Sequence, residues 1–190
     1  MKKSLNWLIG LLMAVCFIMP VPLKTLANET DQIIAVQVSE NEIWYFSTPE
    51  DYQSYLKHQE SKTPVIQPHG EFTTTQEISR QNLKMKFVGY HVLTPSWTKA
   101  SSYTVNAGLT ASASIEYTYK QFTFTLTASK AFGVDTNIPA DSSKFSRLGL
   151  YGDFLVKHMR TNYHDSSGIY DTYDYISTQT LNTYVLVTYQ

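Results

Sequence analysis

Residues 103–132 read YTVNAGLTASASIEYTYKQFTFTLTASKAF, and the alternation within this stretch decides the fold. Odd positions from Tyr103 to Tyr119 carry Val105, Ala107, Leu109, Ala111, Ala113, Ile115 and Tyr117. Even positions carry Thr104, Asn106, Gly108, Thr110, Ser112, Ser114, Glu116 and Thr118. Side chains two apart share one face of a strand, whereas a helix would smear them around its circumference. After Lys120-Gln121 the phase switches, and Phe122, Phe124, Leu126 and Ala128 alternate with Thr123, Thr125, Thr127 and Ser129. A parity switch at a polar pair predicts a long β-hairpin with a tight turn at residues 119–121, apolar on one face and hydroxyl-bearing on the other.

Segments on either side extend the pattern. Lys86 to Leu93, Phe145 to Met159, Tyr170 to Ile176 and Leu181 to Tyr189 are rich in Val, Tyr, Phe, Thr and Leu, with no internal proline. Leu148, Leu150, Phe154 and Val156 occupy one parity while Tyr151, Leu155 and Met159 occupy the other, and Tyr184-Val185-Leu186-Val187 is apolar on both faces, as in covered strands. Gly168 marks a turn between two of these strands. The expected fold class is mainly β, an antiparallel β-sandwich or partly open barrel over residues 85–190.

Upstream, Ile33 to Val38 and Ile43 to Phe46 read as a short hairpin. Thr48-Pro49-Glu50-Asp51 then carries a cap, an N1 proline and two carboxylates at the positive end of a helix dipole. Tyr52, Tyr55 and Leu56 fall on one helical face, and the helix should end near Ser61. Residues 28–62 therefore form a ββα segment. Residues 63–84, with Pro64, Pro68, Gly70 and the Thr73 to Thr75 run, read as an irregular connector containing at most one edge strand.

The beginning of the chain has Lys2 and Lys3, an apolar run from Trp7 to Met19, Pro20 and Pro22, then Thr25-Leu26-Ala27 before polar residues. This order predicts a signal peptide over residues 1–27, cleaved after Ala27, and a secreted, extracellular mature protein. The run is shorter than the ~20 apolar residues of a membrane span. Cys16 lies inside it after Val15, where a lipoprotein signal would have a small residue, so the mature domain is expected to lack both lipid and disulfides. A short basic start and a cysteine-free domain resemble a Gram-positive exported protein. Loss of Lys2, Lys3 and Lys24 leaves 12 basic against 16 acidic residues, which argues against nucleic acid as a partner.

No Gly-x-Ser-x-Gly elbow is present, and spacing gives no reason to pair Glu116, Asp135, Asp141 or Asp153 as catalytic carboxylates. His58, His69, His91, His158 and His164 lack ligand spacing, so no metal is expected from them. Asp165, Asp171 and Asp174 gather hard oxygens, but an Asx-type turn at Asp165 accounts for the local pattern. No cofactor is expected.

Two readings of function follow. The first is a non-catalytic recognition module that binds a protein or envelope component through Trp97, Tyr163, Tyr170, Tyr173 and Tyr175, since tyrosine joins contact area to a polar tip. The second makes the membrane the partner: the 103–132 hairpin inserts through Val105, Leu109, Ile115, Phe122, Phe124 and Leu126, because a lipid-spanning strand needs about 9–11 residues of such alternation. From sequence the first is favoured, because a water-soluble sandwich produces the same alternation. A secreted hydrolase of unrecognised type is a weaker third.

Overall fold

The computed structural model describes residues 33–60 and 71–190. The signal segment 1–27 and His69 lie outside the described residues. Strand residues dominate, in antiparallel sheets accompanied by one short helix.

The main sheet has the order β1-β2-β10-β9-β3, with β4 attached to β9. Its strands are β1 (Ile34–Ser39), β2 (Glu42–Phe46), β3 (Phe72–Tyr90), β4 (Thr98–Lys99), β9 (Phe145–Asp165) and β10 (Gly168–Tyr189). Helix α1 (Pro49–Glu60) follows β2. Between β4 and β9 the chain leaves the sheet to build a second layer: β5 (Ser102–Val105) pairs with β8 (Thr136–Pro139), and β6 (Thr110–Tyr119) with β7 (Phe122–Ala131).

Alternation along β9 sends consecutive side chains to opposite faces, and the two faces have different covers. Leu148, Leu150, Phe154 and Val156 are fully buried on the face under the β6–β7 hairpin. Met159 and Tyr163 point the other way, toward α1, where Phe46, Tyr173, Tyr175, Tyr52 and Tyr55 form an aromatic cluster. The same division separates Tyr45 from Phe46 and Tyr175 from Ile176. The ββα segment is thus built into the sheet: β2 pairs with β10 from Tyr45↔Ile176 to Glu42↔Gln179.

The helix begins as its sequence dictates. The Asp51 amide donates to Thr48 Oγ1 (3.1 Å), a cap that satisfies one orphan N–H. Asp51 then serves tertiary structure as well, accepting from the Asp174 amide (2.9 Å). From the far end of the helix His58 Nε2 lies 2.8 Å from Asp171 Oδ2, with its ring stacked 3.4 Å from that of Tyr163.

Two boundaries differ from the sequence reading. Residues 72–84, assigned to the connector, form most of β3, a 19-residue strand paired along β9 from Phe72↔His164 to Tyr90↔Gly149. The edge strand allowed in the connector is thus present and continuous with the strand read from Lys86. Its polar run hid its length, because the first half of β3 is exposed at the sheet edge and no apolar alternation is required there. The second concerns the single strand expected from Tyr103 to Tyr119, which breaks at residues 106–109 into β5 and β6. Gly108 filled a polar slot in the alternation, but its backbone is left-handed (φ 81°), a conformation glycine adopts without steric cost. Leu186, expected to be covered, is 39% exposed.

Docking of α1, through Asp171, and the side-chain ties between β9 and β10, through Asp174, should weaken in acid. Hydrogen bonds from Arg160 foremost hold the Asp174 carboxyl below its ordinary range. Burial raises that of Asp171, but bonds from His58, Ser54 and Lys57 outweigh it and leave the group lowered. A depressed carboxyl stabilises the fold above its unfolded pKa and loses that contribution as pH falls through the folded value. The thermal midpoint should therefore drop as pH falls below about 4. Asp171→Asn should lower the midpoint at neutral pH and shallow that acid limb, as followed by circular dichroism.

Candidate functional site

The β6–β7 hairpin is the candidate site. Its strands contain 10 residues each and pair without a bulge from Thr110↔Ala131 to Tyr119↔Phe122, so the turn is the two residues Lys120-Gln121. Lys120 takes φ 56°, unusual for a residue with a Cβ. Phe122, Phe124, Leu126 and Ala128 are buried against the sheet, with Ala113, Ile115, Tyr117 and Tyr119 half-buried beside them. The outer face carries hydroxyl groups. Ser114 and Thr127 bond across the strands (2.8 Å), as do Thr118 and Thr123 (2.9 Å). Glu116 is its one charged side chain away from the turn and the foot of the hairpin.

What fastens this ribbon is apolar contact and a few side-chain ties. It shares no backbone ladder with the main sheet. Tyr45 Oη donates to the Thr125 carbonyl (2.6 Å), Thr180 Oγ1 to the Thr127 carbonyl (3.2 Å), and Tyr117 Oη to Gln81 Oε1 (2.9 Å). Burial pushes the Tyr45 hydroxyl up to about 12, against the pull of its hydrogen bonds, so it stays a donor at any physiological pH. Along β7 a cleft of about 560 Å³, lined by residues that include Asn41, Ile43, Thr127, Phe154 and Thr180, separates the hairpin from β10 and the β1–β2 turn. On the β6 side the approach is close: a Cβ at Gly89 would meet the Ala113 Cβ at 2.9 Å.

Both feet of the hairpin pass through a joint. On one side Gly108 turns the chain, its amide donating to the Phe132 carbonyl (2.7 Å). On the other, Gly133 has nothing within 4 Å of an added Cβ, and Asp135 Oδ1 receives the Ala107 amide (2.7 Å). Beyond the joint the ribbon resumes as β5–β8, so two short ladders meet at a glycine-bearing break.

Of the expected hairpin residues, Val105, Phe122, Phe124 and Leu126 are buried, while Leu109 and Ile115 are half-buried and pack on the same cores. The expected tyrosine patch is placed differently. Tyr173 and Tyr175 are each 5% exposed within the cluster under α1, and burial pushes the Tyr175 hydroxyl up to about 12. Tyr163 is half-buried under the His58 ring. Tyr170 is exposed at the far end of β10, and Trp97 is half-buried at the opposite end beside Tyr90.

The carboxylates weighed for chemistry are spent separately. Asp153 accepts from the Met85 amide and Tyr184 Oη, both at 2.8 Å, Asp141 binds Ser143, and Asp165 closes a turn on Ser167. Among the described residues no group of three His, Cys, Asp or Glu side chains converges as a metal ligand set would. Tyr45, Gln81, Gly89 and Thr180 were missed by sequence reasoning. Each acts on the hairpin from at least 24 residues away, and no local pattern signals it.

Comparison with known protein families, curated proteins and solved structures finds no match to this chain.

Tyr45→Phe keeps the ring against Phe124 (5.3 Å) and removes one tie. Loss of a hydrogen bond worth about 1 kcal/mol should raise the open hairpin population about fivefold, read as faster tryptic cleavage at Lys120 with a nearly unchanged global transition.

Proposed function

We propose that this chain is an exported membrane-active protein that stores the β6–β7 hairpin on its main sheet and releases it into a bilayer. The observation that carries the reading is a self-contained ribbon, apolar on its inner face and hydroxylated on its outer, that shares no ladder with the sheet beneath it. Ten-residue strands match the length that crosses a hydrocarbon core as a tilted barrel strand. Release exchanges one apolar cover for another while the hairpin keeps its own backbone hydrogen bonds.

The magnitudes support storage rather than spontaneous release. Burying Phe122, Phe124 and Leu126 is worth about 5–8 kcal/mol, a large share of the ~5–15 kcal/mol that holds a typical domain together. Free hairpins in water are therefore rare, and lipid must supply the compensating burial. A two-stranded ribbon still has two open edges, which lipid does not satisfy, so insertion requires several copies closing into a barrel. The apolar face would then meet lipid, and the serines and threonines would line a watery lumen. Export through a signal peptide over residues 1–27 places such a protein outside the producing cell. Among the described residues no helix is long and apolar enough to cross a membrane.

The recognition reading retains one specific support: Ile169 and Tyr170 stand exposed at the β9–β10 turn. With Tyr173 and Tyr175 in the core, that patch is reduced to the end of a single turn.

Vesicle leakage tests the membrane reading. The purified protein should release an entrapped dye. A Gly89→Cys/Ala113→Cys pair, after the small outward shift a disulfide demands, should abolish release when oxidised and regain it when reduced. Ser114→Lys, on the expected lumen face, should shift single-channel selectivity toward anions. Full leakage from the oxidised pair would overturn the proposal.

A further inference from the structure

We propose that the end of the sheet formed by the turn at residues 91–94 and the rim around it is the seat by which this protein docks on an anionic phospholipid surface, an inference that rests on the membrane-active reading and names the surface that meets the bilayer first.

The turn is built with unusual firmness for what it displays. The Thr94 amide donates to the His91 carbonyl (3.0 Å), and the Leu93 amide donates to His91 Nδ1 (3.0 Å). Its two ends are locked to β9: the His91 amide donates to the Leu148 carbonyl (2.8 Å), the Leu148 amide to Thr94 Oγ1 (3.0 Å), and Arg147 Nε to the Thr94 carbonyl (2.7 Å). His91 and Thr94 are 2% and 5% exposed, yet between them Val92 is 74% exposed and Leu93 47%. Central turn positions ordinarily carry Asn, Asp, Gly or Ser. Here the polar residues face inward to hold the turn, and the two aliphatic side chains are held out in water. Because the backbone is already ordered, burying those side chains in lipid costs little further conformational entropy.

Around the turn lies a rim in which cations sit over aromatic faces. The Arg147 guanidinium is 3.9 Å from the centre of the Tyr90 ring and 5.8 Å from that of Trp97. Lys99 lies 5.3 Å over Phe145, and Lys144 lies 5.6 Å over Tyr189. Phe145 and Tyr189 are 49% and 42% exposed. Aromatic rings with a polar edge and long basic side chains are the residues that settle at the headgroup level, with an apolar tip dipping below them. Segments 90–99, 141–147 and 188–190 hold three side-chain cations, Lys99, Lys144 and Arg147, against one side-chain carboxylate, Asp141, in a chain whose formal charge is −1. That local excess of positive charge selects an anionic surface over a neutral one.

The seat also bears on the hairpin. Tyr103 Oη, on β5, donates to the Ser146 carbonyl (2.8 Å), and the Asp141 amide donates to Tyr189 Oη (3.0 Å). The ribbon that carries the hairpin is therefore rooted at this end, so docking brings its root to the bilayer while the hairpin is still stored.

Flotation with phosphatidylcholine vesicles, with and without phosphatidylglycerol, tests the seat. The protein should bind the phosphatidylglycerol vesicles and bind much less to phosphatidylcholine alone. Val92→Ser/Leu93→Ser should weaken binding at least about tenfold, and Lys99→Glu about fivefold or more, with unchanged circular dichroism and thermal transitions. The oxidised Gly89→Cys/Ala113→Cys pair should float as the parent does while releasing no dye, which separates docking from insertion. Equal flotation of the Val92→Ser/Leu93→Ser variant, equal binding to both vesicle types, or binding to neither would overturn the seat, as would retention on cells that protease treatment of their surface abolishes. If the seat fails while the hairpin reading stands, that variant leaks dye like the parent. If the hairpin reading fails, the oxidised pair leaks like the parent, or the parent floats without leaking.

Discussion

An apolar ribbon face cannot be left in water, and the arrangement of this protein follows from how that face is covered. Side chains at Phe122, Phe124 and Leu126 need a partner surface, and the main sheet supplies it through Phe154 and Val156 of β9 with Tyr45, Val88 and Ile176. Leu148 and Leu150, on the same parity of β9, cover Val105, Ala111 and Phe132 at the ribbon's root. Strands of 21 and 22 residues are far longer than the five or six typical of globular sheets. Their length gives a platform on which the hairpin lies along its whole extent while α1 occupies part of the opposite face.

The two covers are attached by different chemistry. On the helix side, contacts are polar as well as aromatic, with Asp171 taking donors from Ser54, Lys57 and His58 of α1 and Asp51 tied to the β10 backbone. On the hairpin side, the contact is mostly packing, with three hydroxyl ties and a water-accessible cleft along one edge. Apolar packing is non-directional, so a lipid phase can replace it. A network of placed carboxylates has no such substitute. On the proposed membrane-active reading, this asymmetry makes α1 part of the fixed body and the hairpin its exchangeable part.

Geometry at the two ends of the sheet agrees with that division. The ribbon's root lies beside the rigid turn that exposes Val92 and Leu93, and its tip lies near His158, where Phe122 packs on the imidazole (5.2 Å). Between root and tip the ladder is interrupted once, where Gly108 and Gly133 remove the side chains that would stiffen the joint.

Sequence alone determined the strand character of residues 103–132, the turn at Lys120-Gln121, the cap at Thr48 and the mainly β class, because each is written in neighbours two to four positions apart. The hairpin's apolar residues were legible for the same reason. It allowed an edge strand before residue 84 and read a strand from Lys86, but did not reveal that the two are one long β3, whose exposed edge needs no pattern. Nor did it reveal that Tyr173 and Tyr175 are core residues, since a tyrosine on a strand looks alike whether a helix or water lies above it. Only the tertiary structure decided that the greasy face is covered, that no ladder joins it to its cover, and that Val92 and Leu93 are held out beside a basic aromatic rim. Those facts depend on contacts between residues tens of positions apart, and local periodicity carries no record of such pairings.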